Sequence, residues 1–210
     1  GSGAGSHGPA GDAYDNLVLD FGFAPLYSIG NAVFNDLDGD GARDAGEAGI
    51  AGAVVHVFAA DAQGAPTGTS LASTQTDANG FYRFDGLASG RYVIVVDRSG
   101  SAALAGFESS LGASMNMEIG AEGLDHGLDA PVSLGSIADG IASSVVTLGG
   151  GVSAPLGEAT GDGAGANGPN GDDADFLVVD FGFFQPASIS GAVRVDVNGD
   201  GVVDGEDTQG

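Results

Sequence analysis

Short stretches in which apolar and polar side chains alternate recur along this chain of 210 residues. In RYVIVVD, the apolar residues Tyr92, Ile94 and Val96 fall on one face of an extended segment. In GFYRF, Tyr82 and Phe84 do the same. A period of two residues predicts β-strands that pack one face against a core. The pattern predicts strands at about 28–34, 52–60, 70–76, 81–85, 91–97, 142–148 and 175–183.

The connections between these segments support a β-sandwich. Turn-forming residues at 77–80 and 88–90 separate the central strands. In the last predicted strand, FLVVDFGF, alternate apolar residues are expected on one face and Asp180 on the other. Seven short strands with such turns are typical of an all-β fold, an Ig-like antiparallel β-sandwich. The stretch 98–140 shows no clear period, and long loops, an extra hairpin and a short helix are all compatible with it.

The two ends of the chain resemble each other. Residues 1–47 and 161–207 align without a gap, with 24 identical residues in 47 positions. A period of about 160 residues predicts a tandem array. We therefore interpret 1–27 as the last loop and strand of a preceding repeat and 28–184 as one complete repeat. Residues 185–210 are then a linker with the first strand and acidic loop of the following repeat.

The incomplete repeats lead to a prediction about assembly. The strands expected at 14–23 and 188–195 would lack their partners within this chain, and an unpaired strand edge favours pairing with another copy. The joint at 184–187 is short and contains proline, which favours a semi-rigid connection between repeats.

Charge narrows the possible partners. Asp and Glu total 29 against five basic residues, all arginine, and the formal net charge is −24. Such a field repels nucleic acid and anionic membranes, so cations are the natural partners. The chain has no cysteine, which excludes disulfides and thiolate metal sites. No apolar run reaches the roughly 18 residues of a membrane span.

One acidic stretch, NDLDGDGARDAGEAG at 35–49, matches the twelve-residue calcium loop of EF-hands. Side-chain oxygens fall at positions 1, 3, 5, 9 and 12, glycine at position 6, and a backbone carbonyl is available at position 7. The predicted calcium ligands are Asp36, Asp38, Asp40, Ala42 (through its carbonyl), Asp44 and Glu47.

The same template recurs in the second copy. Its predicted ligands are Asp196, Asn198, Asp200, Val202, Asp204 and Asp207. The final aspartate is one methylene shorter than glutamate, so weaker or altered coordination is expected there.

The helices of an EF-hand are not expected here. The sequences on both sides of 36–47 are typical of strands, and the second loop also follows a predicted strand. A solvated acidic turn is the alternative interpretation, and the recurrence at the repeat spacing argues against it. The second acidic stretch, 161–175, leaves two possibilities open. Asp162, Asp172, Asp173 and Asp175 either complete a second calcium site or belong to a glycine-rich solvated loop.

Nothing in the sequence predicts catalysis. His7, His56 and His126 are scattered, and His56 is expected to be an exposed strand histidine. No metalloprotease, nucleophile-elbow, phosphate-loop or dinucleotide-binding motif is found.

Four motifs occur in a fixed order: SIGNAVFNDLDGDGARDAGEAGIAGAVVHVFAA, TDANGFYRFDGLASGRYVIVVD, GIASSVVTLGGG and DFLVVDFGF. Together they resemble the B-type repeats of bacterial serine-aspartate-repeat surface adhesins, within the wider collagen-adhesin B-type group. The resemblance covers most of 28–183 and 188–207. It implies a calcium-binding Ig-like sandwich, with ligands at Asp36, Asp38, Asp40, Asp44 and Glu47 and their counterparts in 196–207.

Two features depart from the family pattern. Many relatives carry a Lys–Asn isopeptide cross-link, which a chain without lysine cannot form, so calcium would have to supply the stiffness. The repeat is also longer than usual, which places an insertion of open role in 98–140 or 149–174.

The sequence therefore predicts a structural, calcium-stiffened module of an extracellular or cell-surface fibre, stalk or adhesin. Its expected partners are neighbouring repeats or copies of itself. An alternative is an adhesive module that recognises a host or matrix protein or a glycan through the insertion or a sandwich face. A third possibility is a dockerin-like segment, because DVNGDGVVDGED alone resembles a dockerin calcium loop.

Overall fold

The computed structural model describes residues 22–110, 125–158, 163–191, 193–197, 199, 201–202 and 208–209, with backbone only at 129–131, 194 and 208–209. Within these residues the chain forms strands and short 3₁₀ turns and no α-helix. The 3₁₀ turns are Ala102–Leu104, Gly163–Gly165 and Asp172–Ala174. The strands are β1 Tyr27–Asn35, β2 Val54–Ala60, β3 Pro66–Gln75, β4 Phe81–Leu87, β5 Gly90–Asp97, β6 Glu108–Ser109, β7 Gly127–Leu134, β8 Ile137–Ser143, β9 Val146–Leu148, β10 Asp175–Phe176, β11 Phe181–Phe184, β12 Arg194–Val195 and β13 Thr208–Gln209.

Two sheets face each other. In the first, β1 pairs with β4 on one edge and with β10 and β11 on the other, and β6 extends the sheet beyond β11. In the second, the order is β3-β2-β5-β8-β7, and β9 also pairs with β5. This confirms the predicted all-β, Ig-like sandwich.

One pairing differs from a purely antiparallel sandwich. The strand β1 runs parallel to both β10 and β11, with Ser28 opposite Asp175 and Val33 opposite Phe181. Parallel neighbours need a long connection between them, and nearly the whole unit supplies it here. The first and last strands of the predicted repeat therefore lie side by side.

The main core lies between the sheets. Inward-facing residues from both sheets form one cluster, and it includes Val55, Ile94, Phe84 and Phe181. The Tyr82 ring packs edge-on against Phe84 with a centroid distance of 6.1 Å. Contacts of this kind between two apolar sheet faces supply most of the stabilisation of a sandwich.

A second, smaller cluster covers the outer face of β5. Val93 and Val95 are buried there with Ile137, so β5 is buried on both faces. The expectation that only Tyr92, Ile94 and Val96 face a core was therefore incomplete. The additional cover comes from Val132 and Leu134 of β7 and from Ile137 of β8, all within 98–140. A two-residue turn at 135–136 joins these two strands.

The five strands predicted between 28 and 97 correspond to β1–β5, within a few residues at each end. The single strand predicted at 142–148 is wrong, because β8 ends at Ser143 and β9 begins at Val146. The Ile94 N–H donates to the Ser143 hydroxyl at 3.1 Å instead of to a backbone carbonyl, which interrupts the ladder.

The strand predicted at 175–183 is also divided in two, β10 and β11. Between them Asp180 is buried, and its carboxylate accepts hydrogen bonds from the Ala32 N–H and the Asn31 amide, each at 3.1 Å. The Val179 carbonyl accepts a hydrogen bond from the Tyr82 hydroxyl at 2.6 Å. Side chains thus replace backbone partners, and Asp180 faces β1 and not solvent.

The open stretch 98–140 contains two of the predicted alternatives. It holds the short 3₁₀ turn Ala102–Leu104 and most of the hairpin β7–β8, which joins the second sheet.

The strand predicted at 14–23 lies outside the described residues. In the described part of the strand predicted at 188–195, Arg194–Val195 form β12, which pairs with β13. No helix in the described part of the chain has the length and apolarity to cross a membrane.

Candidate metal centre

The acidic loop 36–47 is closed by backbone hydrogen bonds at the end of β1. The Asn35 N–H donates to the Ala48 carbonyl at 2.9 Å, and the Ile50 N–H donates to the Val33 carbonyl at 2.7 Å. The loop therefore leaves the sheet and returns to the same strand. Strand structure precedes the loop, which confirms that its flanks differ from those of an EF-hand.

Asp36, at position 1 of the loop, organises the turn. It is fully buried, and its two carboxylate oxygens accept the N–H groups of Gly39 at 2.7 Å and Gly41 at 2.9 Å. Both glycines have φ near +76°, the left-handed region that glycine enters without strain. This explains why glycine is required at both places.

The electrostatics of Asp36 favour its ionised form. Burial alone would raise the pKa of this carboxyl, but hydrogen bonding outweighs burial and lowers the pKa below its ordinary value. The stabilising groups are the nearby Ser110 hydroxyl and the N–H groups of Gly41, Gly39 and Asp40. A carboxylate held ionised inside the protein is suited to bind a cation.

Three carboxylates converge at the loop. One oxygen from each of Asp36, Asp38 and Asp40 lies within 4.8 Å of the others. Asp38 and Asp40 are exposed, and the Asp40 carboxylate accepts the Ala42 N–H at 2.8 Å. A hard divalent cation prefers oxygen ligands, so this donor set fits calcium or magnesium chemistry.

The remaining predicted ligands of this loop do not join the group of three. Glu47 is buried, and its oxygens accept the N–H groups of Leu37 at 2.6 Å and Asp44 at 2.9 Å, which ties the two ends of the loop together. Asp44 is exposed and Ala42 is half-buried. The guanidinium of Arg43 lies over the Phe81 ring, 5.4 Å from its centroid.

Sequence spacing did not reveal two residues that support the loop. Ser110 lies beside Asp36, and the Asp125 N–H donates to the Gly41 carbonyl at 2.7 Å. Both are separated from the loop by more than 60 residues, so no local motif connects them to it. Only the path of the chain through β6 and β7 brings them close.

The second acidic loop repeats the geometry of the first at its first position. The carboxylate oxygens of Asp196 accept the N–H groups of Gly199 at 2.6 Å and Gly201 at 2.9 Å. The φ angles of these glycines are +74° and +75°. Asp196 and Val202 are exposed, whereas Asn198, Asp200, Asp204 and Asp207 lie outside the described residues.

The two described histidines, His56 and His126, lie at separate places in the fold. His7 lies outside the described residues. The expectation of an exposed His56 is wrong: it is half-buried, with Nε2 3.9 Å from the Asp97 carboxylate. The hairpin β7–β8 and Phe58 cover this outer face of the sheet, which the period of β2 alone does not indicate. His126 is buried, and its Nδ1 accepts the Asp180 N–H at 3.4 Å.

The fold and the loop together define a class of protein, an Ig-like β-sandwich module with an acidic loop after its first strand. Residues 27–123 match the family model of the SdrD B-like domain. This confirms the resemblance drawn from the sequence.

Curated relatives support the same assignment. The chain is 43% identical over 86 residues to the serine-aspartate repeat-containing protein C of Staphylococcus aureus strain MRSA252, and equally to that of strain Newman. The matched part is 40% of this chain but only 9% and 8% of these two relatives. The chain thus spans less than a tenth of the curated relatives. The relationship supports the predicted extracellular or cell-surface location.

Proposed function

We propose that this chain is a structural repeat module of an extracellular or cell-surface fibre, stalk or adhesin, and that calcium bound at loop 36–47 stiffens it. The observation that carries the proposal is the convergence of Asp36, Asp38 and Asp40, whose oxygens lie within 4.8 Å of one another. Like charges at this spacing repel strongly unless a cation separates them.

Calcium suits the loop better than magnesium does. Calcium accepts six to eight oxygens in flexible geometry, whereas magnesium requires a near-ideal octahedron. The proposed further ligands are the Ala42 carbonyl and the carboxylates of Asp44 and Glu47. The hydrogen bonds that Glu47 accepts leave a second lone pair on each oxygen, so it keeps the capacity to coordinate a cation.

The position of the loop explains why calcium would stiffen the chain. The Asp36 N–H donates to the Phe183 carbonyl at 2.9 Å, in the last strand before the joint. A cleft of about 340 Å³ lies between the loop residues 35–39 and the joint residues Phe184, Gln185 and Ala187. A cation that orders the loop therefore also restricts one wall of the joint.

The proposed setting is a tandem array. Residues 28–184 form its complete unit, 1–27 belong to a preceding unit and 185–210 to a following one. The recurrence of the Asp36 geometry at Asp196 supports this arrangement, because the two loops are separated by the repeat period of 160 residues. Neighbouring repeats or copies of the chain are its proposed partners, and no catalytic role is proposed.

The test is a thermal melt of the full chain in millimolar calcium, magnesium or chelator. An affinity of about 10⁻⁴ M stabilises by about 1.4 kcal/mol per site in millimolar calcium, which corresponds to a rise of roughly 3–6 °C in Tm. Asp38→Asn should reduce this rise, and because Asp38 is exposed the variant should fold. Asp173→Asn, at an exposed carboxylate outside the loop, is the matched control.

Stiffening requires its own measurement. Chymotrypsin should cut the joint after Phe184 more slowly in calcium than in chelator, and Asp38→Asn should remove the difference. Identical melts in all three conditions would reject the metal site. A calcium-dependent melt with unchanged cleavage would retain the site and reject its control of the joint.

A further inference from the structure

Several large apolar side chains are exposed near the two ends of the described chain, and the proposed array accounts for them. Phe23 and Ile189 are almost fully exposed. Their counterparts one repeat period away, Phe183 and Ile29, are fully buried in the complete repeat. Exposed residues of this kind therefore belong to incomplete neighbouring repeats and indicate no additional surface.

Leu37 does not fit this explanation. It lies within the complete repeat, between Asp36 and Asp38 of the acidic loop, and is 69% exposed. Its N–H donates to the Glu47 carboxylate at 2.6 Å, which fixes the backbone while the side chain stays exposed. Its counterpart Val197 is 62% exposed. An exposed apolar side chain therefore occupies the second position of both loops.

An apolar pocket of about 250 Å³ lies where β9 of the second sheet meets β10 of the first. We call it the side pocket. Its lining residues include Thr147, Val152, Pro155, Phe176 and Val178, and none of its lining residues is charged. A cavity of about 150 Å³ can hold a benzene-sized group, so the side pocket has room for a leucine side chain.

The lack of charge at the side pocket is unusual for this chain. Residues 140–157, which supply most of the lining, contain no charged residue, and no other run in the sequence without one is as long. Val152 and Leu156 of this run are exposed. With a net charge of −24, acidic surfaces of two copies repel each other, so an uncharged apolar surface is where contact is favoured.

Leu37 and the side pocket both lie close to the joint between repeats, on opposite sides of it. Leu37 lines the cleft that contains the joint residue Ala187. Phe176 of the side pocket pairs with Ile29, near the start of β1. In the following repeat the counterpart of Ile29 is Ile189, two residues beyond Ala187. In the proposed array, Leu37 of one repeat is therefore near the side pocket of the next.

Charge opposes this contact unless a cation is bound. Leu37 is surrounded by the three converging carboxylates of Asp36, Asp38 and Asp40, and the next repeat is acidic as well. A divalent cation in the loop would neutralise most of this local charge. The contact therefore depends on the proposed loop site.

We propose that Leu37 of one repeat inserts into the side pocket of the next repeat, or of a second copy of this chain. The inference rests on the proposed function, because it uses both the array and the calcium-bound loop. The two surfaces differ from each other, so the contact is heterologous and continues from repeat to repeat instead of closing into a dimer.

Sedimentation velocity of the full chain in millimolar calcium measures this contact between copies. Repeats joined by a short linker meet at an effective concentration in the millimolar range, so the chain is studied up to about 1 mM. Leu37→Ser should weaken self-association about tenfold, through the loss of one buried leucine contact. Leu71→Ser is the matched control, because Leu71 is 58% exposed on β3 and does not line the side pocket.

A variant of the side pocket tests the other half of the contact. Val152→Asp should weaken self-association as Leu37→Ser does, and Thr147→Asp, at another exposed lining position, replaces it if circular dichroism shows that it does not fold. An equimolar mixture of Leu37→Ser and Val152→Asp retains one intact contact for each pair of chains. The mixture should form dimers, whereas the wild type forms longer assemblies.

Three results would overturn the inference. They are a wild type that stays monomeric at 1 mM in calcium, equal self-association of Leu37→Ser and the wild type, and a mixture that associates no better than its separate variants. Thermal melts of the same samples keep the proposed function separate. A calcium-dependent Tm with self-association independent of Leu37 would retain the loop site and reject the contact. Self-association that requires Leu37 equally in calcium and in chelator would retain the contact and reject its dependence on calcium.

Discussion

Individual side chains repeatedly take the place of backbone partners in this protein. Asp36 accepts two loop N–H groups, and Asp180 accepts the Ala32 N–H inside the first sheet. The Ser143 hydroxyl accepts the Ile94 N–H in the second. Each of these side-chain contacts ends a ladder or fixes a turn, so polar side chains set the limits of these strands.

Tyr82 offers a test of this role through pH. It is buried, and its hydroxyl donates to the Val179 carbonyl at 2.6 Å. Burial raises the pKa of Tyr82 well above its ordinary value, and the charge of Asp180 adds to the effect. The folded state therefore holds this proton more tightly than the unfolded state, and stability should fall as pH rises above about 10.

The loss of stability above about pH 10 can be assigned to tyrosine, because lysine and cysteine also titrate at alkaline pH and the chain has neither. It has four tyrosines. Tyr82→Phe should lose about 1 kcal/mol at neutral pH and show a shallower loss between pH 9 and 11. Urea unfolding at each pH measures both. Tyr92→Phe, whose pKa is raised by burial alone, should flatten the slope less. An unchanged slope in Tyr82→Phe would contradict the assignment.

Among the described secondary-structure elements, β1 pairs with three strands, as β5 does in the other sheet. It is buried along nearly its whole length and pairs with β4, β10 and β11. Beyond its end, the chain returns after the acidic loop and passes close to the turn at 77–80. There Gly49 and Gly80 allow two backbone segments to approach each other.

This close approach predicts a strong effect of a small substitution. A methyl group on Gly49 would lie 1.8 Å from the Asn79 carbonyl oxygen, so Gly49→Ala should shift the backbone and cost about 1–3 kcal/mol. Gly191→Ala is the control, because nothing lies within 4 Å of its added methyl group. Denaturant midpoints compare the two, and equal midpoints would show that the turn can move away without cost.

The sequence predicted the elements best over residues 27–97, where β1–β5 were predicted within a few residues. The strands β1, β2, β4 and β5 carry clear apolar signals. The breaks at Ser143 and Asp180 were missed, because a hydroxyl or carboxylate that replaces a backbone partner leaves no trace in the hydrophobic period. The hairpin β7–β8 was only one of several alternatives, since its small residues give weak propensity signals.

The candidate metal centre, like the strands, was predicted only in part. Spacing alone predicted the convergence of Asp36, Asp38 and Asp40, because a loop of fixed length brings its alternate residues together. The position of Ser110 beside Asp36 was not predicted, because Ser110 reaches this loop only through the tertiary fold. A local motif contains no information about contacts between residues so far apart in the chain.

The whole molecule is dominated by negative charge. With 29 acidic and five basic residues, self-repulsion opposes the compact state at neutral pH. Both salt and bound calcium can reduce this repulsion, but they differ in specificity. Salt screens all surface charges together, whereas calcium acts only where several oxygens converge.

A comparison of salt and calcium separates these contributions. In chelator, 1 M sodium chloride reduces the screening length to about 3 Å and should raise the Tm by a few degrees. Millimolar calcium, which adds almost no ionic strength, should produce at least a comparable rise. Control melts contain chelator and enough sodium chloride or magnesium chloride to match the ionic strength of the calcium sample. They measure how much of the calcium-dependent rise in Tm is due to screening. If these reproduce the calcium effect, screening alone accounts for it.

The parallel pairing of β1 with β11 has a mechanical consequence. In an array, tension enters the unit at Tyr27, where β1 begins, and leaves at Phe184, where β11 ends. Since the strands point the same way, these two points lie at opposite ends of the shared ladder. Tension therefore slides the strands along each other and loads their hydrogen bonds simultaneously, whereas pulling at one end would open them one after another.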